Sequence, residues 1–138
     1  MRKEPTWISR AVVLALHERL LAEHGGLPGL IDEGLLDAAL ARPRNRLAYG
    51  RADVFRLAAA YAQALTRDHP FSDGNKRVAF TVAGVFLELN GFHLEAPEAE
   101  AVTAVLALTT RRLDEEQFAA WLRASSSSVP RRRGRPRP

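Results

Sequence analysis

"HPFSDGNKRVAFTVAGVFLELNG", residues 69–91, joins a polar loop to an apolar helix, and the rest of the chain can be arranged around it. From Val78 to Leu89 the residues Val78, Ala79, Phe80, Val82, Ala83, Val85, Phe86, Leu87 and Leu89 are apolar almost all round a helical projection. A helix apolar on every side is normally the buried centre of a bundle. Asn90-Gly91 closes it as a C-terminal cap. The nine residues before it are opposite in character. They crowd an imidazole, a carboxylate, a glycine, an amide and two cations into a loop and the helix's first turn.

Working outward, the chain predicts helices with short breaks. Residues 9–24 carry Val12, Val13, Leu16, Leu20 and Leu21 as a helical stripe, ended by Gly25-Gly26 and Pro28-Gly29. Asp32 caps a short helix through Leu35, Leu36, Ala39 and Leu40, stopped by Pro43. Residues 42–52, with Arg42, Arg44, Arg46 and Arg51 around Tyr49, read as a basic loop. Asp53 caps a helix whose Val54, Leu57, Ala58, Tyr61 and Leu65 share a face. It runs to about Arg67, since Pro70 disfavours helix at the residue before it. Phe92-His93-Leu94 reads as a short extended link. Residues 98–109 form another helix, and Asp114 with Gln117 opens a last one through Phe118, Trp121 and Leu122 as a capping box. No segment reads as a sheet and none repeats. The expected fold is all-α, one domain over residues 1–124, with an Arg/Pro-rich tail from 125 to 138 expected to be disordered.

The composition is that of a globular domain: 138 residues, 46% hydrophobic and 26% charged. With no cysteine there is neither a disulfide framework nor a thiolate metal site. No apolar run has the length of a membrane span or the character of an export signal, so a cytoplasmic location is the expectation. The net charge of +4 is concentrated at one end: Arg131, Arg132, Arg133, Arg135 and Arg137 exceed it by themselves. The body is near neutral, and its charge gives no argument for nucleic acid.

The polar stretch has the parts of a group-transfer site. A helix N-terminus offers unpaired N–H groups and the positive end of the dipole to an anion. Gly74 lets a phosphate approach the backbone, Lys76 and Arg77 add positive charge, and Asn75 can donate or accept. Asp73 beside such a site suits Mg²⁺, which takes hard oxygen ligands and phosphate. His69 can take a proton near neutral pH. Each residue also has a plainer reading. Asp73 serves as an N-cap, His69 as a packed histidine, Lys76 and Arg77 as a solvated face, and Gly74 as a turn residue. Phe71 reads as a core anchor of the loop. Base, metal ligand and anion cradle together are the parts of phosphoryl or nucleotidyl transfer.

His69 to Arg77 resembles the signature of the Fic/Doc superfamily, His-x-Phe-x-Asp/Glu-Gly/Ala-Asn-x-Arg, and is most similar to the death-on-curing (Doc) branch, the toxins of type II toxin–antitoxin modules. Leu16-His17, Gly25-Gly26-Leu27-Pro28-Gly29, the segment 32–43, Ala48-Tyr49, Arg67 and Leu87 to Gly91 agree in order and spacing. The resemblance implies a compact Fic-like helical bundle. It implies His69 as the base for a target hydroxyl and Asp73 as the Mg²⁺ ligand on the phosphates of ATP. Gly74, Asn75, Lys76 and Arg77 would be the anion hole, and the segment around Arg46, Tyr49 and Arg51, with Arg67, a target-binding flap.

Members that transfer AMP typically have Gly after the Asn and a second Arg three positions after the first; here those positions hold Lys76 and Phe80. Doc-type toxins share this departure. The resemblance therefore implies a kinase outcome, with the γ-phosphate of ATP passing to a Ser/Thr of a protein such as elongation factor Tu and translation arrested. AMP transfer, or an idle antitoxin-binding corepressor, are the alternatives. The chain has no match to the family's own inhibitory helix, which implies inhibition in trans by a Phd-like antitoxin. Residues 130–136 resemble an AT-hook for a weak contact with AT-rich DNA; a solubilising basic tail is the plainer reading.

Overall fold

The structure is a computed structural model that describes residues 4–30 and 32–129. Among them are six helices: α1 (Arg10–His24), α2 (Glu33–Ala48), α3 (Val54–Asp68), α4 (Asn75–Leu89), α5 (Glu98–Thr109) and α6 (Glu115–Ala124). Four start at side-chain caps: Ser9, Asp32, Asp53 and Asp114 each accept a backbone N–H from the first turn. At α6 the expected capping box is complete, with Asp114 accepting from Gln117 N at 2.8 Å and Gln117 Oε1 from Asp114 N at 2.9 Å. No helix among the described residues is long and apolar enough to cross a membrane.

α2 corrects the sequence reading. It does not stop at Pro43 but carries that proline inside and continues to Ala48. A helix-interior proline loses a backbone hydrogen bond and clashes one turn back, at a cost of about 3 kcal/mol. Here Leu36, Ala39 and Pro43 are buried and Leu40 and Leu47 half-buried, a stripe at helical spacing that packs on α3. Burying such side chains is worth about 1.5–3 kcal/mol each, enough to offset the proline. The expected basic loop therefore shrinks to the few residues between Ala48 and Val54.

α3 and α4 form the centre. α4 buries Val78, Ala79, Val82, Ala83, Phe86 and Leu87, as its apolar pattern requires. α3 is enclosed still further: every residue from Leu57 to Thr66 except Gln63 is buried. Its alanines at 58, 59, 60, 62 and 64 let α2, α4 and α6 approach closely, and α5 closes over α3 and α4.

The second correction is a small sheet where none was expected. β1 (Phe92–Leu94), read as a link, pairs antiparallel with β2 (Ser126–Ser128). Ser125 caps α6, and Val129 N donates to Gly91 O at 2.8 Å, so 125–129 belong to the folded body rather than to a disordered tail. A run of serines carries no strand signal; backbone bonds to β1 hold it. At the other terminus Thr6 and the Asn90 amide exchange two hydrogen bonds of 2.8 and 3.0 Å. The AT-hook-like segment 130–136 lies outside the described residues.

Candidate active site

α3 ends where Pro70 forces it to. His69 takes up the left-handed conformation, φ 48° and ψ 58°, and the chain reverses into the motif loop. Such backbone in a non-glycine residue costs roughly 1–2 kcal/mol and tends to occur at functional sites. Phe71 is 1% exposed and lies flat on the imidazole of His17, ring centroids 3.8 Å apart. Ser72 N donates to Gly29 O at 3.0 Å and Leu30 forms a bridge with Phe71, so the glycine-rich segment after α1 is stitched to the motif.

Asn75, buried at the start of α4, braces the loop. Its Oδ1 accepts from Phe71 N at 3.1 Å and its Nδ2 donates to Phe71 O at 2.9 Å. Those two bonds fix which end of the amide is nitrogen. The 3.3 Å contact from Nδ2 to His69 Nδ1 is therefore an N–H facing a ring nitrogen, and the neutral ring in this pose carries its hydrogen on Nε2. Proton uptake at Nε2 requires His69 to exchange this long contact for another.

Asp73 is gripped by backbone. Oδ2 accepts from Leu27 N at 3.2 Å and Oδ1 from Gly74 N at 2.9 Å. Its own carbonyl accepts from His17 Nε2 at 2.8 Å. Gly74, at φ 81°, is the N-cap of α4 and supplies no capping side chain, which leaves the first-turn N–H groups of α4 open to an anion. Lys76 and Arg77 are exposed and without a salt bridge or side-chain hydrogen bond among the described residues.

These groups open on one cavity of about 840 Å³. It is lined by His69, Asp73, Gly74, Asn75, Lys76 and Arg77 together with the apolar side chains of Phe80 and, on α5, Ala101, Val102, Val105 and Leu106; Leu20, His24 and Glu98 also face it. The lining suits a ligand with both anionic and apolar parts. No cluster of three His, Cys, Asp or Glu able to hold a metal occurs among the described residues. Asp73 alone, with lone pairs left on both oxygens, fits a magnesium ion that arrives with phosphate, because Mg²⁺ is commonly held by one or two carboxylates plus substrate phosphates.

The expected flap residues fall elsewhere. Arg46, Tyr49 and Arg51 line a smaller cavity of about 350 Å³, and Arg67 is exposed on the last turn of α3, lining neither cavity. Sequence reasoning assigned no role to His17, to the Leu27 N–H or to the α5 wall. A histidine inside an apolar helical stripe was the available signal for the first. The second is a backbone group and leaves no trace in residue type.

Comparison with known proteins agrees with this geometry. The model of the Fic/DOC family matches residues 7–87, which include α1, the glycine segment, the motif and most of α4. The chain is 39% identical over 98 residues to "Protein kinase doc" of Escherichia phage P1, covering 70% of this chain and 78% of that one. It is 42% identical over 103 residues to "Toxin Doc" of Mycolicibacterium smegmatis, covering 71% and 78%. The family match spans the elements that grip Asp73 and brace His69, and with it the chain is placed: it belongs to the Fic/DOC family.

Proposed function

We propose that this chain is the toxin of a toxin–antitoxin pair and a protein kinase, passing the γ-phosphate of ATP to a Ser or Thr hydroxyl of a protein, with elongation factor Tu as the candidate target. Similarity to proteins named protein kinase doc and toxin Doc supports the class. The observation that carries the chemistry is that Lys76, Arg77 and Phe80 line one cavity with His69 and Asp73. The cations are the side chains that would meet the phosphates. Phe80, where AMP-transferring relatives have a second arginine, presents a ring instead of a phosphate ligand.

In this reading the open N–H groups of α4, Lys76 and Arg77 hold phosphate oxygens and neutralise charge that builds on them, the main contribution a protein makes to phosphoryl transfer. Asp73 would hold magnesium, which supplies charge neutralisation on the phosphates. The hydroxyl oxygen bonds to the γ-phosphorus as the bridging P–O bond to ADP breaks, and His69 takes the hydroxyl proton at Nε2. A Phd-like antitoxin would act in trans by covering the cavity mouth, where Val102 and Leu106 are 59% and 49% exposed. The cytoplasm is the compartment consistent with such a target.

The test is transfer from ATP radiolabelled in the γ- or the α-position to purified elongation factor Tu, beside His69→Ala. Label from the γ-position only, lost in the variant, is expected. Label from the α-position would establish AMP transfer instead. Antitoxin binding without transfer from either position, to this or any other protein target, would indicate a corepressor.

A further inference from the structure

Five of the six described helices close with a return bond: the backbone N–H of the residue that caps the C-terminus donates to a carbonyl of the last turn. α3 does not. Its cap is His69, whose N–H makes no such bond among the described residues, and Pro70 after it has no N–H to offer. His69 thus stands at the one described helix end that the backbone leaves untied, in a left-handed conformation that a non-glycine residue adopts only at a cost. Its imidazole adds little hold, since the contact with Asn75 Nδ2 is 3.3 Å long.

The residue before His69 supplies the missing tie. Asp68 is the last residue of α3, its side chain is 13% exposed, and its Oδ1 accepts from Arg42 Nη2 of α2 at 3.3 Å. Its other oxygen, Oδ2, is buried without a hydrogen-bond partner among the described residues. The placement runs against local preference twice. A carboxylate at a helix C-terminus meets the negative end of the dipole, and a buried carboxylate oxygen without a donor keeps its desolvation cost. Positions that break local rules in this way are where function is expected to reside. Arg42 comes from α2, which packs along α3, so the pair links the exit of α3 to a neighbouring helix.

We propose that Asp68 and Arg42 are positioning residues: their pair clamps the exit of α3 to α2 and so sets the left-handed backbone of His69 and the direction of its imidazole in the motif cavity. Neither side chain lines that cavity, so neither meets a ligand there. Among the motif groups the clamp acts on His69. Asn75 braces Phe71 by two bonds of its own, and His17 and the Leu27 N–H hold Asp73, so the rest of the loop keeps its place when the clamp opens. Arg42 is 47% exposed, so the pair adds little to global stability. The strain at His69 is of the same small order, and releasing the clamp lets it relax locally. The catalytic consequence rests on His69 being the base of the transfer proposed for this site; the clamp itself does not.

The experiment is NMR of the isotope-labelled full chain, native and as Arg42→Gln and Asp68→Ala, with the His69 signals identified by their loss in His69→Ala. Both variants are expected to show the same change. The His69 Cα and Cβ shifts move from left-handed toward extended values. At about pH 8.5, where an imidazole is neutral, the ring nitrogens move from the Nε2–H form toward a mixture of tautomers. The amide signals of Phe71 and Asn75 are expected to hold, and Tm to stay within about 2 °C of the native value. In transfer assays kcat is expected to fall about tenfold with KM for ATP unchanged, and the double variant to be no worse than either single one. His69 signals unchanged in both variants would overturn the proposal. So would shifts spread through the core signals of Val78 and Val82 with a large loss of Tm, the result of a pair that only holds the fold. A rise in KM for ATP at unchanged kcat would overturn it too, by placing the pair in ligand binding. The NMR signals decide the clamp whether or not the native chain transfers phosphate; a native chain that transfers none would overturn the kinase reading alone.

Discussion

His17 Nε2 donates to the carbonyl of Asp73 across 2.8 Å, from a buried ring that also stacks on Phe71. One side chain of α1 thus holds both the anchor of the motif loop and the backbone of its acid. His17→Leu keeps most of the apolar volume and removes the N–H. It is expected to cost about 1–2 kcal/mol, a few degrees in Tm, while lowering transfer activity by about tenfold or more. Melting curves and labelling rates check this; unchanged transfer would show that Asp73 is placed without His17.

At His69 the backbone conformation and the side chain can be tested separately. His69→Ala and His69→Gly both remove the imidazole, and both are expected to abolish transfer. Only glycine adopts φ 48° without strain. The glycine variant should therefore be more stable than the alanine variant by about 1 kcal/mol in urea unfolding. An alanine variant at least as stable as the glycine one would mean that the turn at the end of α3 stores no strain.

Gly26 is remote from the motif in sequence but touches its acid in space. A Cβ there would lie 3.0 Å from Asp73 Oδ2, on a backbone with φ 125°. Gly26→Ala is expected to push the carboxylate from the Leu27 N–H and to reduce transfer, with little change in helix content by circular dichroism. Full activity in this variant would contradict the two-bond grip on Asp73.

Asn75→Ala would leave the buried N–H and C=O of Phe71 without partners. Such groups cost about 1–3 kcal/mol each, so a loss of about 3 kcal/mol and roughly 10 °C in Tm is expected. Calorimetry checks it, and a drop of only a degree or two would assign the bracing of the loop to Pro70 and Phe71 instead.

Asp53, the cap of α3, also pairs with Arg123 of α6 at 2.6 Å. Burial raises its pKa, but the Arg56 N–H and the Arg123 guanidinium outweigh it and hold the carboxyl below the ordinary 3.8. The sign follows: the contribution is present above that ordinary value and is lost as pH falls through the lowered one. Asp53→Asn keeps the cap acceptor and removes the charge, so its Tm should fall less steeply than that of the native chain as pH drops from about 5 to 3. Parallel curves would exclude a role for this pair in acid stability. About half of each side chain is exposed, so the effect is that of a surface pair.

The helices were legible because most follow their own caps and stripes: Asp53 before Val54, Asp114 with Gln117, and the apolar run after Arg77. α2 was not, because the proline rule is local and the stripe from Leu36 to Leu47 is satisfied only against α3. The strand of serines was not, because its bonds are all backbone and its partner lies more than thirty residues away. Within the site, the motif named the groups that open on the cavity, His69, Asp73, Gly74, Asn75, Lys76 and Arg77. It could not name His17 or the Leu27 N–H, which reach Asp73 from another helix and its following loop. Nor could it show that Arg46, Tyr49 and Arg51 open on a different cavity, since α2 had first to run on past Pro43.

Both ends of the described chain are fastened to the same two residues, Thr6 to Asn90 and Val129 to Gly91. Those residues follow the last turn of α4, whose first turn carries the motif. The fifteen residues between span about 22 Å at 1.5 Å per residue. A label attached beside Thr6 or Val129 therefore leaves from the pole opposite His69. Surface immobilisation through such a handle would hold the molecule with its reactive mouth facing outward, so single-molecule capture of a partner needs no internal attachment site.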